Sequence, residues 1–189
     1  MPSAQLHVVV RHLHRLVGFD PVGQQSDGEL LQRFLHKREE AAFEALVWRH
    51  GGMVFNVCRR MVRHEQDAED AFQATFLALV REGKRISRRE STGSWLFKVA
   101  YRIARKVRAR AARHAAVALA DHDPPAPSDI EEPIWRDVRP VLDEEVDRLP
   151  AKYRQPVVLC YLEGKTNEQA AVELGCPKGT GIPPSFTPE

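Results

Sequence analysis

Lys98, Arg102, Arg105 and Lys106 recur three and four residues apart, a spacing that lines cations along a helix where they can follow a phosphate backbone. Trp95, Phe97 and Tyr101 are interleaved with them, and aromatic faces can stack on unpaired bases. Arg88 and Arg89 lie just upstream, without a packing role, and could also grip phosphates. Trp95 shares an apolar stripe with Val99 and Ile103, which draws it partly into a core, whereas the cations have no reason to be buried. The overall net charge of +2 hides a strong asymmetry. Residues 81–113 hold twelve Lys/Arg against Glu82 and Glu90, a net of +10, while residues 121–147 hold ten acids against Arg136 and Arg139, a net of −8. A basic block this dense suits a polyanion, and an acidic stretch beside it discourages loose attachment elsewhere.

A second constellation is acidic. Asp67, Glu69 and Asp70 crowd the start of a helix, where carboxylates suit the unsatisfied N–H groups. His64 and Glu65 with Asp67 and Asp70 could be imagined as a metal cluster, but the first two precede that helix and have no fixed direction, so a charged docking or solvated surface is the better reading. The third pattern lies at residues 166–175 (TNEQAAVELG). Thr166 and Gln169 form a capping box, Ala170, Ala171 and Leu174 supply a small apolar face, and Gly175 can take the positive φ of a turn. These are the first helix and turn of a helix-turn-helix. Residues 181–189 (GIPPSFTPE) then interrupt it, because one glycine and two prolines cannot begin the expected second helix.

Enzymatic signatures are missing: no phosphate-cradling loop, no paired His on a helix and no glycine-framed nucleophile. The expectation is a non-enzyme with no cofactor and no metal. Cys58, Cys160 and Cys176 are widely spaced, as buried thiols of a reducing cytoplasm would be. No apolar run approaches a membrane span, so membrane insertion is not expected.

These groups must be positioned by helices, and the periodicity predicts an all-α chain. Residues 1–26 read as a leader with a short amphipathic helix over 6–17. Asp27 is expected to cap a helix to about Lys37, followed by a long helix over 39–63 that Gly51-Gly52 could bend. A third helix spans about 67–80 with Ala68, Ala71, Phe72, Thr75, Phe76 and Leu79 inward. After a basic loop, Ser91 or Ser94 caps a helix to about Arg113, its buried side formed by Trp95, Leu96, Val99, Ala100, Ile103 and Val107. Residues 114–133 are a linker rich in Pro and Asp. Helices over 135–146 and 150–163 follow, with Val157, Val158, Tyr161 and Leu162 inward and Pro156 in a first turn or at a kink.

Residues 67–79 (DAEDAFQATFLAL) followed by 93–102 (GSWLFKVAYR) resemble the extracytoplasmic-function (ECF) group of bacterial sigma-70 family sigma factors, most of all planctomycete members with an extended leader. The likeness covers residues 27–113 as region 2 and 137–180 as part of region 4. It implies an all-α protein with a helical region 2 domain and a small, truncated helix-turn-helix region 4 domain (134–180), ending in an aberrant tail (181–189). It further implies that Asp67, Glu69, Asp70, Phe72, Gln73 and Phe76 dock on the β′ clamp of bacterial core RNA polymerase. Residues 83–92, with Arg88 and Arg89, would capture a flipped base of promoter DNA, and Ser94, Trp95, Lys98, Arg102 and Arg105 would engage the −10 element. Residues 149–164 would lie near the β flap, and an anti-sigma factor is a further partner of this group.

Members of the group continue from an apolar residue at position 181 into an Arg-rich helix that enters the major groove of the −35 element. Gly181 and Ile182-Pro183-Pro184 depart from this, so impaired −35 recognition and an only partly folded region 4 are expected. A truncated or frame-shifted copy would produce such a tail. Two other readings compete: a non-initiating module that binds polymerase or an anti-sigma factor, and a helical DNA-binding protein of another kind. The pairing of the two region 2 segments disfavours the latter alone.

Overall fold

A computed structural model describes residues 25–62, 64–86, 91–118 and 133–176, with backbone alone at 114–118 and 133–137. Among the described residues seven α-helices follow in order: α1 (Asp27–Lys37), α2 (Glu40–Met61), α3 (Glu65–Glu82), α4 (Thr92–Ala118), α5 (Pro133–Arg148), α6 (Ala151–Val157) and α7 (Asn167–Glu173). A short 3-10 turn, Gly83–Arg85, follows α3, and a π-helical turn, Val158–Leu162, continues α6. No strand occurs among the described residues, so the fold is all-α.

Helix α1 begins one residue earlier than expected. Ser26, not Asp27, is its cap: the Ser26 hydroxyl accepts the Glu29 N–H, and the Glu29 carboxylate accepts the Ser26 N–H at 2.8 Å. This capping box frees Asp27 to turn inward, where it is 4% exposed. Helix α2 runs through Gly51-Gly52 as one uninterrupted helix. The expected helices at 67–80 and 91–113 are present and longer at both or one of their ends.

Helices α1–α4 enclose one core. Leu30, Leu46, Leu79 and Leu96 are all completely buried, each contributing on the order of 2 kcal/mol by leaving water. Phe34 and Phe43 pack with ring centroids 4.8 Å apart, and Phe43 and Phe76 at 6.2 Å. Those contacts tie α1, α2 and α3 together through aromatic area that two helices alone could not cover.

The C-terminal helices, as far as residue 176, pack onto this bundle. Val158 joins the same core, and Val146 and Leu162 pack against it. Helix α5 continues through Pro140. Pro156, which cannot donate an intrahelical hydrogen bond, lies two residues before the π turn. The extra residue in that turn rotates the inward face. Val158 and Leu159 are fully buried, whereas Tyr161, expected inward, is 63% exposed. The π turn also aims Glu163 into the bundle, where its side chain is 3% exposed.

Candidate nucleic-acid and polymerase interface

Helix α3 presents two different sides. Ala68, Ala71, Thr75, Phe76 and Leu79 are buried, as the stripe predicts. Asp70 and Gln73 are exposed, and Asp67, Glu69 and Phe72 are half-buried. Phe76, assigned to docking by resemblance, is instead a core residue, 5% exposed and packed against Phe43 and Phe72. Leu77 is an apolar side chain on this helix for which the sequence gives no expectation. It is 54% exposed and lies one and two turns beyond Gln73 and Asp70, so the three share a face. The available signal was an apolar residue lying off the buried stripe.

Helix α4 is capped by Ser91, whose hydroxyl accepts the Ser94 N–H at 3.2 Å. Its inward face is rotated from the expected one. Leu96, Phe97, Ala100, Tyr101 and Ala104 are buried, while Trp95, Val99, Ile103 and Val107 lie at the boundary. Phe97 and Tyr101 stack on one another with centroids 6.4 Å apart, so neither ring is available to a base. A four-helix environment covers more of α4 than one apolar stripe would suggest, because α2, α3, α5 and α6 all pack on it. Arg102, Arg105, Lys106 and Arg108 are exposed along the outer face, and Lys98 is half-buried at its edge. Arg88 and Arg89 lie outside the described residues.

Ser94, assigned to DNA by resemblance, is completely buried. Arg154 donates to its hydroxyl at 3.2 Å and to the Leu149 carbonyl at 2.9 Å. Gln155 accepts the Ser91 N–H at 3.0 Å. The start of α4 is therefore covered by α6. Farther along, Arg60 of α2 makes a bidentate pair with Asp143 of α5, at 2.9 and 2.8 Å, a geometry suited to the planar guanidinium.

Thr166 and Gln169 form the expected capping box, with both reciprocal bonds present. Ala170 and Ala171 are buried, and Leu174 is half-buried. Gly175 has φ +62°, the Gly175 N–H reaches the Val172 carbonyl and the Cys176 N–H reaches the Ala171 carbonyl. Together these bonds make a Schellman turn that ends α7 as the motif requires. The turn's continuation, residues 177–189, lies outside the described residues, as do residues 1–24.

Buried ionic groups join the two halves, and no sequence pattern pointed to them. His50 of α2 is fully buried; its Nδ1 is 2.6 Å from Glu163 Oε1 and its Nε2 is 2.9 Å from Asp27 Oδ2. Lys165 Nζ lies 3.2 Å from Glu163 and 3.7 Å from Asp27 and pairs with Glu173, and Arg49 pairs with Asp27 at 2.9 Å. Burial alone would lower the imidazole pKa, but Glu163 and then Asp27 raise it to about 10. Burial would raise both carboxyls, yet His50 and Lys165 hold Asp27 and Glu163 below their ordinary range. His50 is thus an imidazolium between two carboxylates. Burial pushes the Cys58 thiol up to about 12, which leaves it an unreactive core group. Among the described residues, no cluster of three or more His, Cys, Asp or Glu could hold a metal, and no helix is long and apolar enough to cross a membrane.

The described residues thus form an all-α bundle with an acidic face on one helix, a cationic face on the next and a capped helix-turn unit. The family model Sigma-70 region 2 matches residues 46–114, and Sigma-70, region 4 matches residues 140–180. The RNA polymerase sigma factor CarQ of Myxococcus xanthus is 32% identical over 153 residues, covering 79% of this chain and 85% of that protein. The ECF RNA polymerase sigma factor SigE of Mycolicibacterium smegmatis is 31% identical over 143 residues, 74% of this chain and 55% of that longer protein. The RNA polymerase sigma-H factor of Pseudomonas aeruginosa is 26% identical, covering 83% of this chain and 86% of its own length. A solved structure, CnrH in complex with the cytosolic domain of CnrY, aligns with TM-score 0.43 and 23% identity over 81% of this chain and 85% of that one. The chain belongs to the sigma-70 family of RNA polymerase sigma factors, in its extracytoplasmic-function group, whose work is transcription initiation.

Proposed function

We propose that this sigma factor docks on the β′ clamp of bacterial core RNA polymerase through Asp70, Gln73 and Leu77, flanked by Asp67, Glu69 and Phe72. It engages the −10 element through Arg102 and Arg105, with Lys98 and Trp95 at the edge of that surface. The observation that carries this reading is the division of one bundle into an exposed acidic and apolar side on α3 and an exposed cationic side on α4. Cations along α4 attract the phosphates of a separated strand, while catalysis stays with the polymerase. Residues 27–113 act as region 2 and 134–180 as a partial region 4, in the cytoplasm, where polymerase is.

Recognition of the −35 element is impaired in this reading. Direct readout needs a helix in the major groove, and Gly181, Pro183 and Pro184 stand where that helix would begin. An anti-sigma factor would compete for the same two faces. Reconstitution with bacterial core polymerase on templates with and without a −35 element tests the reading. Discrete start sites on both templates, with little gain from the −35 element, are expected. Binding to core without initiation would leave only a docking module, and strong −35 dependence would overturn the impairment.

A further inference from the structure

Helix α5 carries an apolar stripe that the bundle leaves uncovered. Val138, Val141 and Leu142 recur three and four residues apart, which sets them on one face of the helix. They are 37%, 56% and 51% exposed. Asp143 turns the other way, buried against Arg60 of α2 at 2.8 Å, so the stripe lies on the outer side of α5. Glu145 and Arg148 border it and are exposed, and residues 133–148 hold five acids against three arginines. Apolar side chains grouped on one face, unlike single ones, mark an interaction surface.

A cover with matching properties exists in the chain itself. Residues 6–17 (LHVVVRHLHRLV), which lie outside the described residues, place Leu6, Val9, Val10, Leu13, Leu16 and Val17 at three- and four-residue steps. Arg11, Arg15 and three histidines fill most other positions, and no acid occurs before Asp20. A helix this short is marginal in water by itself, so its apolar side needs a surface. Tethering favours α5. The Gln25 carbonyl accepts Arg49 Nη1 at 2.7 Å, and Arg60, which anchors α5, lies about 16 Å further along α2 at the helical rise. Residues 18–24 extend to about 25 Å, which covers that span. We propose that residues 6–17 dock as an amphipathic helix on the Val138–Val141–Leu142 stripe, with Arg11 and Arg15 toward the acidic flank of α5. The leader is then a part of the packed molecule, and any partner of this face of α5 has to displace it.

The test follows the full chain by amide hydrogen exchange over residues 6–17 and by tryptic cleavage after Arg11 and Arg15. In the native chain both are expected to run about tenfold or more slower than in unstructured polypeptide. Val141→Asn and Leu142→Gln, which remove apolar contact without changing charge, should each return both rates toward the unstructured values while the amides of α2 stay protected. If one variant also unprotects α2, the other decides. Unstructured rates in the native chain overturn the docking, as does protection that a folded variant leaves intact. Protection lost on dilution assigns the leader to a second copy of the chain and overturns the intramolecular seat. Protection gained only with phosphatidylglycerol vesicles assigns it to an anionic lipid surface and overturns it as well.

Discussion

His50 Nδ1 lies 2.6 Å from Glu163 Oε1, joining residues 113 apart in the chain and linking the helix bundle to the region that follows its acidic linker. Neither residue belongs to a motif. Their meeting makes two domains, separable in sequence, into one packed body.

The titration of this group sets a pH window. His50 has a folded pKa raised from 6.5 to about 10, so its stabilisation is complete below 6.5 and is lost as pH rises through about 10. Asp27 and Glu163 are lowered from 3.8 and 4.5, so theirs is present above those values and lost as pH falls. Glu173, raised by burial and by Asp27, works the other way and favours acid. Thermal melts should show a stability maximum between about pH 4.5 and 6.5, with a gradual decline through pH 8 to 10. A melting temperature flat from pH 6 to 10 would count against a charged His50.

Replacing His50 with Leu removes a cation from between two buried carboxylates. A loss of about 3–5 kcal/mol in urea unfolding is expected, because the two buried carboxylates then share only Arg49 and Lys165. A loss under about 1 kcal/mol, the range of an exposed pair, would show that the site admits water.

Charge reversal at Asp70, or Leu77→Asp, should lower core polymerase affinity about tenfold in a pull-down titration, equivalent to about 1.4 kcal/mol. Both side chains are exposed, so the melting temperature should move little. Phe76→Ala provides the contrast. It empties a core position packed against Phe43 and Phe72 and should cost about 3–5 kcal/mol of stability.

Alanine at Arg102 and Arg105 should weaken single-stranded DNA binding and flatten its salt dependence by about 0.7 in slope for each phosphate no longer neutralised. The double variant should be compared with the native chain over the same range of salt concentration. An unchanged slope there would mean that these arginines do not meet phosphate.

Thr166→Ala removes the hydroxyl that accepts the Gln169 N–H. About 1 kcal/mol of local stability should be lost, visible as faster amide exchange in α7 with little change in α2.

Local rules were legible wherever neighbours in sequence were also neighbours in space. The Thr166–Gln169 box, the positive φ of Gly175 and the α3 stripe follow from spacing alone. Spacing misleads where a second partner intervenes. Ser94 reads as a helix cap or a DNA contact until Arg154 covers it. Phe97 and Tyr101 read as stacking platforms until α4 is surrounded on more than one side. Tyr161 reads as inward until the π turn inserts a residue into the repeat. Asp27 reads as a cap until Ser26 takes that role and Asp27 meets Arg49 and His50.

By itself the sequence determined that the chain is helical, where its charges separate, and which family pattern it carries, because helix periodicity and caps act over three to five residues. Only the tertiary structure decided which cations and aromatics remain at the surface, and that Glu163 meets His50. Burial and ion pairing depend on distance in space, and loop closure between remote segments leaves no periodic trace in the chain.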